Sequence, residues 1–358
     1  MKSSEKHFAV YIHWPYCLSK CPYCDFSSRV CSDIDESLLW QGYQRDIQQW
    51  IKGGAIQSIF FGGGTPSLMT PKLTEKIINE IAKYASLSAD CEITMEANPD
   101  AIDLFKLRDF KSLGVNRLSL GVQALSDSDL HFLGRKHTLQ TACQRIDEAK
   151  TVFDRINIDL IYARPNQTLT SWKKELKKAI EFGLSHYSLY QLTIEENTVF
   201  GQKKIKPADE KTAADLYRLT DDIMAAAGLP AYEVSNYARL GQECRHNLTY
   251  WYGQDYIGIG PAAHGRIGTQ ATQNPKSITD WIKNGANIEI LTPQEKRTEQ
   301  LLMGLRLRRH WFPKKGLSVS KINRLVKQGY LEENQTGIRP TLSGTLILDK
   351  IVLDLLPD

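Results

Sequence analysis

Three cysteines at C-x3-C-x2-C spacing, Cys17, Cys21 and Cys24, follow directly on the apolar run from Phe8 to Trp14, and no other feature limits this chain as much. Soft thiolate ligands favour zinc and iron–sulfur clusters. Three of them on one short loop can each hold one iron of a cubane cluster, leaving the fourth iron open to a small chelating ligand. Zinc is the competing reading, with Cys31 or His13 as fourth ligand, although neither lies at a usual finger spacing. Chance spacing is the third. The chain carries seven cysteines, an odd number. That suits a reducing compartment better than a disulfide framework, so a cytoplasmic protein is expected.

The rest of the composition narrows the class. The 358 residues suffice for one large domain and a smaller one. With 42% hydrophobic and 24% charged residues the chain reads as an ordinary globular protein. A net charge of +4 is small for this length, so no nucleic acid is expected as partner. No apolar run approaches ~20 residues, so no transmembrane helix is expected and any membrane contact would be peripheral. The segment Met1 to Lys6 is polar and lacks the apolar core of a secretory signal.

Strand signals alternate with helix signals along the first half of the chain. Strands are expected at 8–14, 56–61, 92–97, 117–121, 156–161 and 187–193, where β-branched and aromatic residues concentrate. Helical periodicity is expected at 36–52, 74–84, 104–113, within 127–153, at 171–182 and at 209–227. Six such units predict an α/β fold, a parallel sheet curved into a partial (β/α)6 barrel of the TIM type with right-handed crossovers. Chemistry then belongs at the C-terminal ends of the strands. Three parts are expected: a partial barrel over 1–235, an aromatic, glycine-rich segment over 236–290 packed on it, and a small helical domain over 291–358 with a β wing near 331–338 and 341–347.

Unusual residues fall at those strand ends. Gly62-Gly63-Gly64-Thr65-Pro66 follows the second strand, where bare backbone can approach a ligand or simply make a tight turn. No Gly-Lys-Ser/Thr follows, which excludes a Walker-type phosphate loop. Glu96 and Asp159 end the third and fifth strands, and a carboxylate there can accept hydrogen bonds from ribose hydroxyls. Gln123 and Arg135 add a neutral and a cationic group from the fourth unit. Each of these also reads as a structural cap or a surface ion pair.

Tyr11-Ile12-His13-Trp14-Pro15-Tyr16-Cys17, the cysteine loop, the triple glycine with Thr-Pro, and Arg117-Leu118-Ser119-Leu120-Gly121-Val122-Gln123 together resemble the radical S-adenosylmethionine superfamily. The likeness runs from about Phe8 to Gly268, more weakly beyond. It points to the branch that holds the oxygen-independent coproporphyrinogen III oxidase and haem chaperones. The resemblance implies that Cys17, Cys21 and Cys24 bind three irons of a 4Fe-4S cluster and that S-adenosylmethionine chelates the fourth. An electron donor would reduce the cluster, and electron transfer would cleave the sulfonium to methionine and a 5'-deoxyadenosyl radical. Tyr11, Gly63 and Glu96 would contact that first S-adenosylmethionine. Tyr23, Gly64, Thr65, Gln123, Arg135, Asp159 and Thr193 match positions lining a second one in the oxidase. His264 is expected near the S-adenosylmethionine end.

Within the branch, two departures weaken the oxidase reading. The oxidase has a further cysteine two residues after the third, where this chain has Phe26, and a longer arm before the cluster, where sixteen residues precede Cys17 here. By contrast His246-Asn247-Leu248-Thr249-Tyr250-Trp251 matches the H-N-x-x-Y-W pattern associated with haem binding in the chaperones. A neutral imidazole is a sound axial ligand for iron, and aromatic neighbours pack on a porphyrin face. A core histidine in an aromatic cluster is the plainer reading, and Cys244 is a second possible ligand. The resemblance thus implies a haem carrier with apo-haemoproteins as recipients. A propionate-decarboxylating oxidase, or a radical enzyme acting on another substrate, is the alternative.

Overall fold

The computed structural model describes residues 6–356, so of the polar N-terminal segment all but Lys6 lies outside the described residues. Six strands follow one another side by side and parallel: β1 (His7–Trp14), β2 (Ala55–Gly63), β3 (Ser86–Ala97), β4 (Arg117–Gln123), β5 (Arg155–Tyr162) and β6 (His186–Gln191). Helices Glu36–Trp50, Pro71–Ala82, Leu104–Ser112, Leu139–Lys150 and Leu169–Glu181 make the crossovers. Their starts are set by side-chain caps; Asp35, Thr70, Asp103, Thr138 and Thr168 each accept from a backbone N–H three residues on.

The two-residue period of the strands divides the sheet into two faces. Val10, Ile12, Ile59, Phe61, Ile93, Met95, Leu118, Leu120, Ile156 and Ile158 point outward and are buried in one continuous core under the helices. The intervening residues point inward, and they are mostly polar: Tyr11 and His13, Ser58, Glu92, Thr94 and Glu96, Arg117 and Ser119, Asn157 and Asp159, His186 and Ser188. This polar inner face is what the sheet curves around.

The sheet does not stop at six strands. Five more come from the segment after residue 235: β7 (Asn236–Ala238), β8 (Tyr256–Ile259), β9 (His264–Ile267), β10 (Gln270–Gln273) and β11 (Asn287–Ile290). The order is β11-β10-β9-β8-β1-β2-β3-β4-β5-β6-β7, an open sheet of eleven strands. β8 runs parallel to β1, β9 to β11 add antiparallel strands beyond it, and β7 pairs antiparallel with β6 at the opposite edge. The aromatic, glycine-rich segment therefore extends the sheet at both edges.

A second, separate core forms from residues of 301–355, including Leu305, Phe312, Leu325 and Ile351. Helix Pro293–Gly304 opens this part with a Thr292–Glu295 capping box and Pro293 in its first turn. A short hairpin joins β12 (Leu331–Glu333) to β13 (Ile338–Pro340). The second wing strand ends earlier than the sequence reading placed it. Thr341 caps helix Leu342–Thr345 by accepting from the Gly344 N–H, so 341–347 turns helical. No described helix is long and apolar enough to cross a membrane.

Candidate functional site

A cavity of about 350 Å³ opens at the C-terminal ends of the strands. Pro15 ends β1, and the chain then loops over these ends as Cys17–Ser28. Two short pairings hold the loop, Tyr16–Cys17 beside Arg29–Val30. The His13 ring adds another contact, Nε2 to the Ser27 carbonyl at 2.9 Å, while Nδ1 lies 3.1 Å from the Tyr11 hydroxyl. Cys17, Cys21 and Cys24 all line the cavity as free thiols.

The glycine turn lies against this loop. The Gly64 N–H donates to the Trp14 carbonyl at 2.7 Å and the Thr65 N–H to the Tyr16 carbonyl at 2.8 Å. A Cβ on Gly64 would come within 2.4 Å of the Tyr16 carbonyl oxygen and 3.1 Å of Cys17 Sγ. Gly63 has φ +109°, a conformation that glycine adopts without strain. The bare backbone is thus needed for β2 to meet the cysteine loop at all.

Nine further residues singled out in the sequence line the same cavity: Tyr23, Gly63, Gly64, Thr65, Glu96, Gln123, Arg135, Asp159 and Thr193. Arg135 ties them together, donating through Nη1 to Cys21 Sγ at 3.3 Å and through Nη2 to Asn98 and to the Gly121 carbonyl at 2.9 Å. Burial disfavours its charge, but Tyr23 and Cys21 beside it outweigh that and raise its pKa. Asn98 in turn donates to Thr65 Oγ1 at 2.9 Å. Gln123 sits at φ +71°, a strained backbone for a residue with a Cβ and common at binding sites. Burial, and then Asp159, push the Glu96 carboxyl up to about 8, against the pull of the Gly63 N–H that it accepts at 3.3 Å. Asp159 is raised too, chiefly by burial. Two acids thus face one space, and Asp159, which accepts from Asn157 Nδ2 at 2.7 Å, is the better supported of the two.

Among the described residues no three His, Cys, Asp or Glu side chains converge tightly enough for a single metal ion. A cubane cluster does not need such convergence, because each cysteine binds a different iron. Three free thiols on one loop, the glycine cradle behind Cys17 and the guanidinium on Cys21 fit that group.

The remaining predicted residues lie elsewhere. Tyr11 borders a second, inner compartment of about 170 Å³ beneath the first. His264 is outside both: Gly260 at φ +104° and Ala262 at φ +62° turn the chain away, and His264 starts β9 as an exposed residue. His246 is only 1% exposed, on helix Arg245–Trp251, which packs against β1 and β2, and it lines the inner compartment with Tyr11. Its Nδ1 meets Ser58 Oγ at 3.0 Å, its Nε2 meets the Tyr250 hydroxyl at 2.8 Å, and its ring stacks on Phe60 at 5.0 Å. Burial lowers its pKa to about 3, so the ring is neutral. Cys244 is equally enclosed, its thiol directed at Glu92 and its pKa pushed up to about 12 by burial. Neither is presented to a porphyrin in this arrangement.

The sequence reading passed over Asn98, Arg117, Ser119, Asn157, Ser188 and Tyr190, all of which line one or both compartments. The signal was the strict alternation of polar and apolar residues within each strand, as in Arg117-Leu118-Ser119-Leu120.

The family model for the Radical SAM superfamily matches residues 11–179. Along the whole chain, Heme chaperone HemW of Haemophilus influenzae is 34% identical, covering 96% of this chain and 96% of that protein. The Bos taurus protein "Radical S-adenosyl methionine domain-containing protein 1, mitochondrial" is also 34% identical, over 97% of this chain and 87% of its own length. Among solved structures, the radical SAM enzyme coproporphyrinogen III oxidase (HemN) of Escherichia coli superposes with a TM-score of 0.84 at 20% identity, covering 98% of this chain and 90% of that one. The chain has its α/β fold.

Proposed function

The chain belongs to the radical S-adenosylmethionine superfamily and within it to the HemW family, and from that premise we propose that it binds haem and delivers it to apo-haemoproteins. The observation that carries this reading is the match to HemW over nearly the full length of both chains. Phe26 supports it. Where the oxidase has a further cysteine, this chain places an aromatic ring, 62% exposed at the mouth of the cavity.

In this reading Cys17, Cys21 and Cys24 hold a 4Fe-4S cluster, and Glu96 and the glycine turn hold S-adenosylmethionine. When bound, the cluster supplies the electron that cleaves the sulfonium. The chain's own residues prepare the space. An ammonium group brought beside Glu96 restores the charge that burial opposes, so the empty acid is a poised acceptor. Bare backbone at Gly63 and Gly64 leaves room beside Cys17. Asp159 and Gln123 offer polar contacts farther in, and Tyr23, Thr65, Arg135 and Thr193, which also line the cavity, match positions around a second S-adenosylmethionine in the oxidase. The protein works in the cytoplasm, with a one-electron donor for the cluster.

Haem would be held at the Arg245–Trp251 segment, with His246 offering a ring nitrogen to its iron once the ring gives up the Tyr250 hydroxyl. The test is a haem titration followed by transfer to an apo-haemoprotein, with coproporphyrinogen III as a parallel substrate under anaerobic, reducing conditions. Haem transfer without protoporphyrinogen formation supports the carrier; protoporphyrinogen formation would instead make the chain a decarboxylase.

A further inference from the structure

The inner compartment contains a buried guanidinium that feels the nearby charges of Glu92 and Asp159 but whose donors meet no acceptor among the described residues. Arg117 opens β4 on the inward face, one inward position before Ser119, and is only 3% exposed. Its guanidinium lines the compartment, yet it forms no hydrogen bond or ion pair with a described residue. The acid of the neighbouring strand is already taken. Glu92 Oε2 accepts from Arg155 at 2.8 Å and from the Arg245 N–H, and Oε1 accepts from the His246 N–H and the Cys244 thiol. Across from Arg117 in the strand register, the Thr94 hydroxyl is likewise buried without a partner.

Buried polar donors are otherwise hydrogen-bonded, because leaving them unmet costs free energy that a ligand can recover. Five N–H donors in a planar fork are the geometry that a carboxylate matches with two parallel hydrogen bonds. The compartment, about 170 Å³, has room for such a group with a short methylene arm. Water alone would fill it with roughly five molecules at ~30 Å³ each. Tyr11 and Phe60 give it an apolar wall for the arm. Glu96, Ser119, Asp159 and Tyr190 line both compartments, so the path in runs through the outer cavity.

We propose that the inner compartment is a binding site for a carboxylate on a short aliphatic arm, with Arg117 as its fork. The compartment shares His246, Asn247 and Tyr250 with the proposed haem segment, but binding of a small carboxylate is read without haem, so the two proposals fail separately. The test titrates the full chain calorimetrically with propionate and with its neutral isostere propionamide, in wild type and in Arg117→Gln. Propionate is expected to bind about tenfold or more tightly than propionamide, and Arg117→Gln to abolish that preference. Because Arg117 makes no hydrogen bond or contact ion pair with a described residue, the variant is expected to fold, which circular dichroism checks. Should it not, Arg117→Lys keeps the charge without the fork and is expected to weaken propionate by about tenfold. Absence of propionate binding, equal binding of the two probes, or propionate binding unchanged in the folded variant would overturn the proposal.

Discussion

The two ends of this curved sheet are built on opposite terms. At the C-terminal ends of the strands, free thiols, a strained Gln123 and a buried Glu96 with one hydrogen bond face an open cavity. On the far side, His246 has both ring nitrogens engaged and a stacked Phe60, and Glu92 accepts from Arg155, Cys244 and two backbone N–H groups. The first region keeps its polar groups waiting for a ligand; the second spends them on itself. Polar groups left without partners are where a fold gives up stability for binding, and satisfied buried networks are where it gains rigidity.

Substitutions break the comparison most sharply at the loop. Cys21→Ser should abolish the cluster's visible absorption after anaerobic reconstitution, while shifting the melting temperature of the unreconstituted protein little, since the thiol faces a cavity. A large loss of stability before reconstitution would mean that the loop is structural. His246→Ala should behave in the opposite way. It removes two buried hydrogen bonds and a stacked ring, so a loss of about 2–4 kcal/mol in denaturant unfolding is expected. An unchanged midpoint would contradict the sealed network.

The two regions should also answer pH in opposite directions. Glu96 binds its proton more tightly folded, at about 8, than unfolded. Its contribution is present at low pH and is lost as pH rises from about 4.5 through 8. Glu96→Gln should flatten that fall in melting temperature and weaken S-adenosylmethionine binding. His246 is the reverse. Its folded pKa near 3 lies below the unfolded value, so stability holds above pH about 6.5 and is lost as pH falls toward 3. His246→Gln should flatten the acid limb. The smallest effect expected is from Tyr250→Phe, which frees His246 Nε2. If that nitrogen ligates haem, affinity should rise a few-fold in a Soret titration; an unchanged or lower affinity would remove His246 as ligand.

Much of this fold was legible because its signals are local. β-branched and aromatic runs, the first ended by Pro15, marked the parallel strands, and apolar periodicity marked the helices between them. The edge strands were not legible. β7 to β11 are three or four residues long, and whether such a segment becomes a strand depends on which sheet edge it meets. The turn from hairpin to helix at Thr341 was missed because a single side-chain cap decided it.

For the site, spacing alone brought out Cys17, Cys21 and Cys24, since all three lie on one loop and chelation there needs no distant partner. The glycines followed from the same economy, because a residue without a Cβ is visible in any sequence. What only the tertiary structure decided is which polar groups are satisfied. His246 reads the same whether it faces solvent or core, and its fate was settled by Ser58, 188 positions away. Arg117 reads as an ordinary strand-start arginine until the fold gives the Glu92 oxygens to Arg155 and its other donors and leaves the Arg117 guanidinium facing a cavity without a hydrogen bond. Hydrogen-bond satisfaction is a property of closed three-dimensional neighbourhoods, and the order of residues along a chain does not contain it.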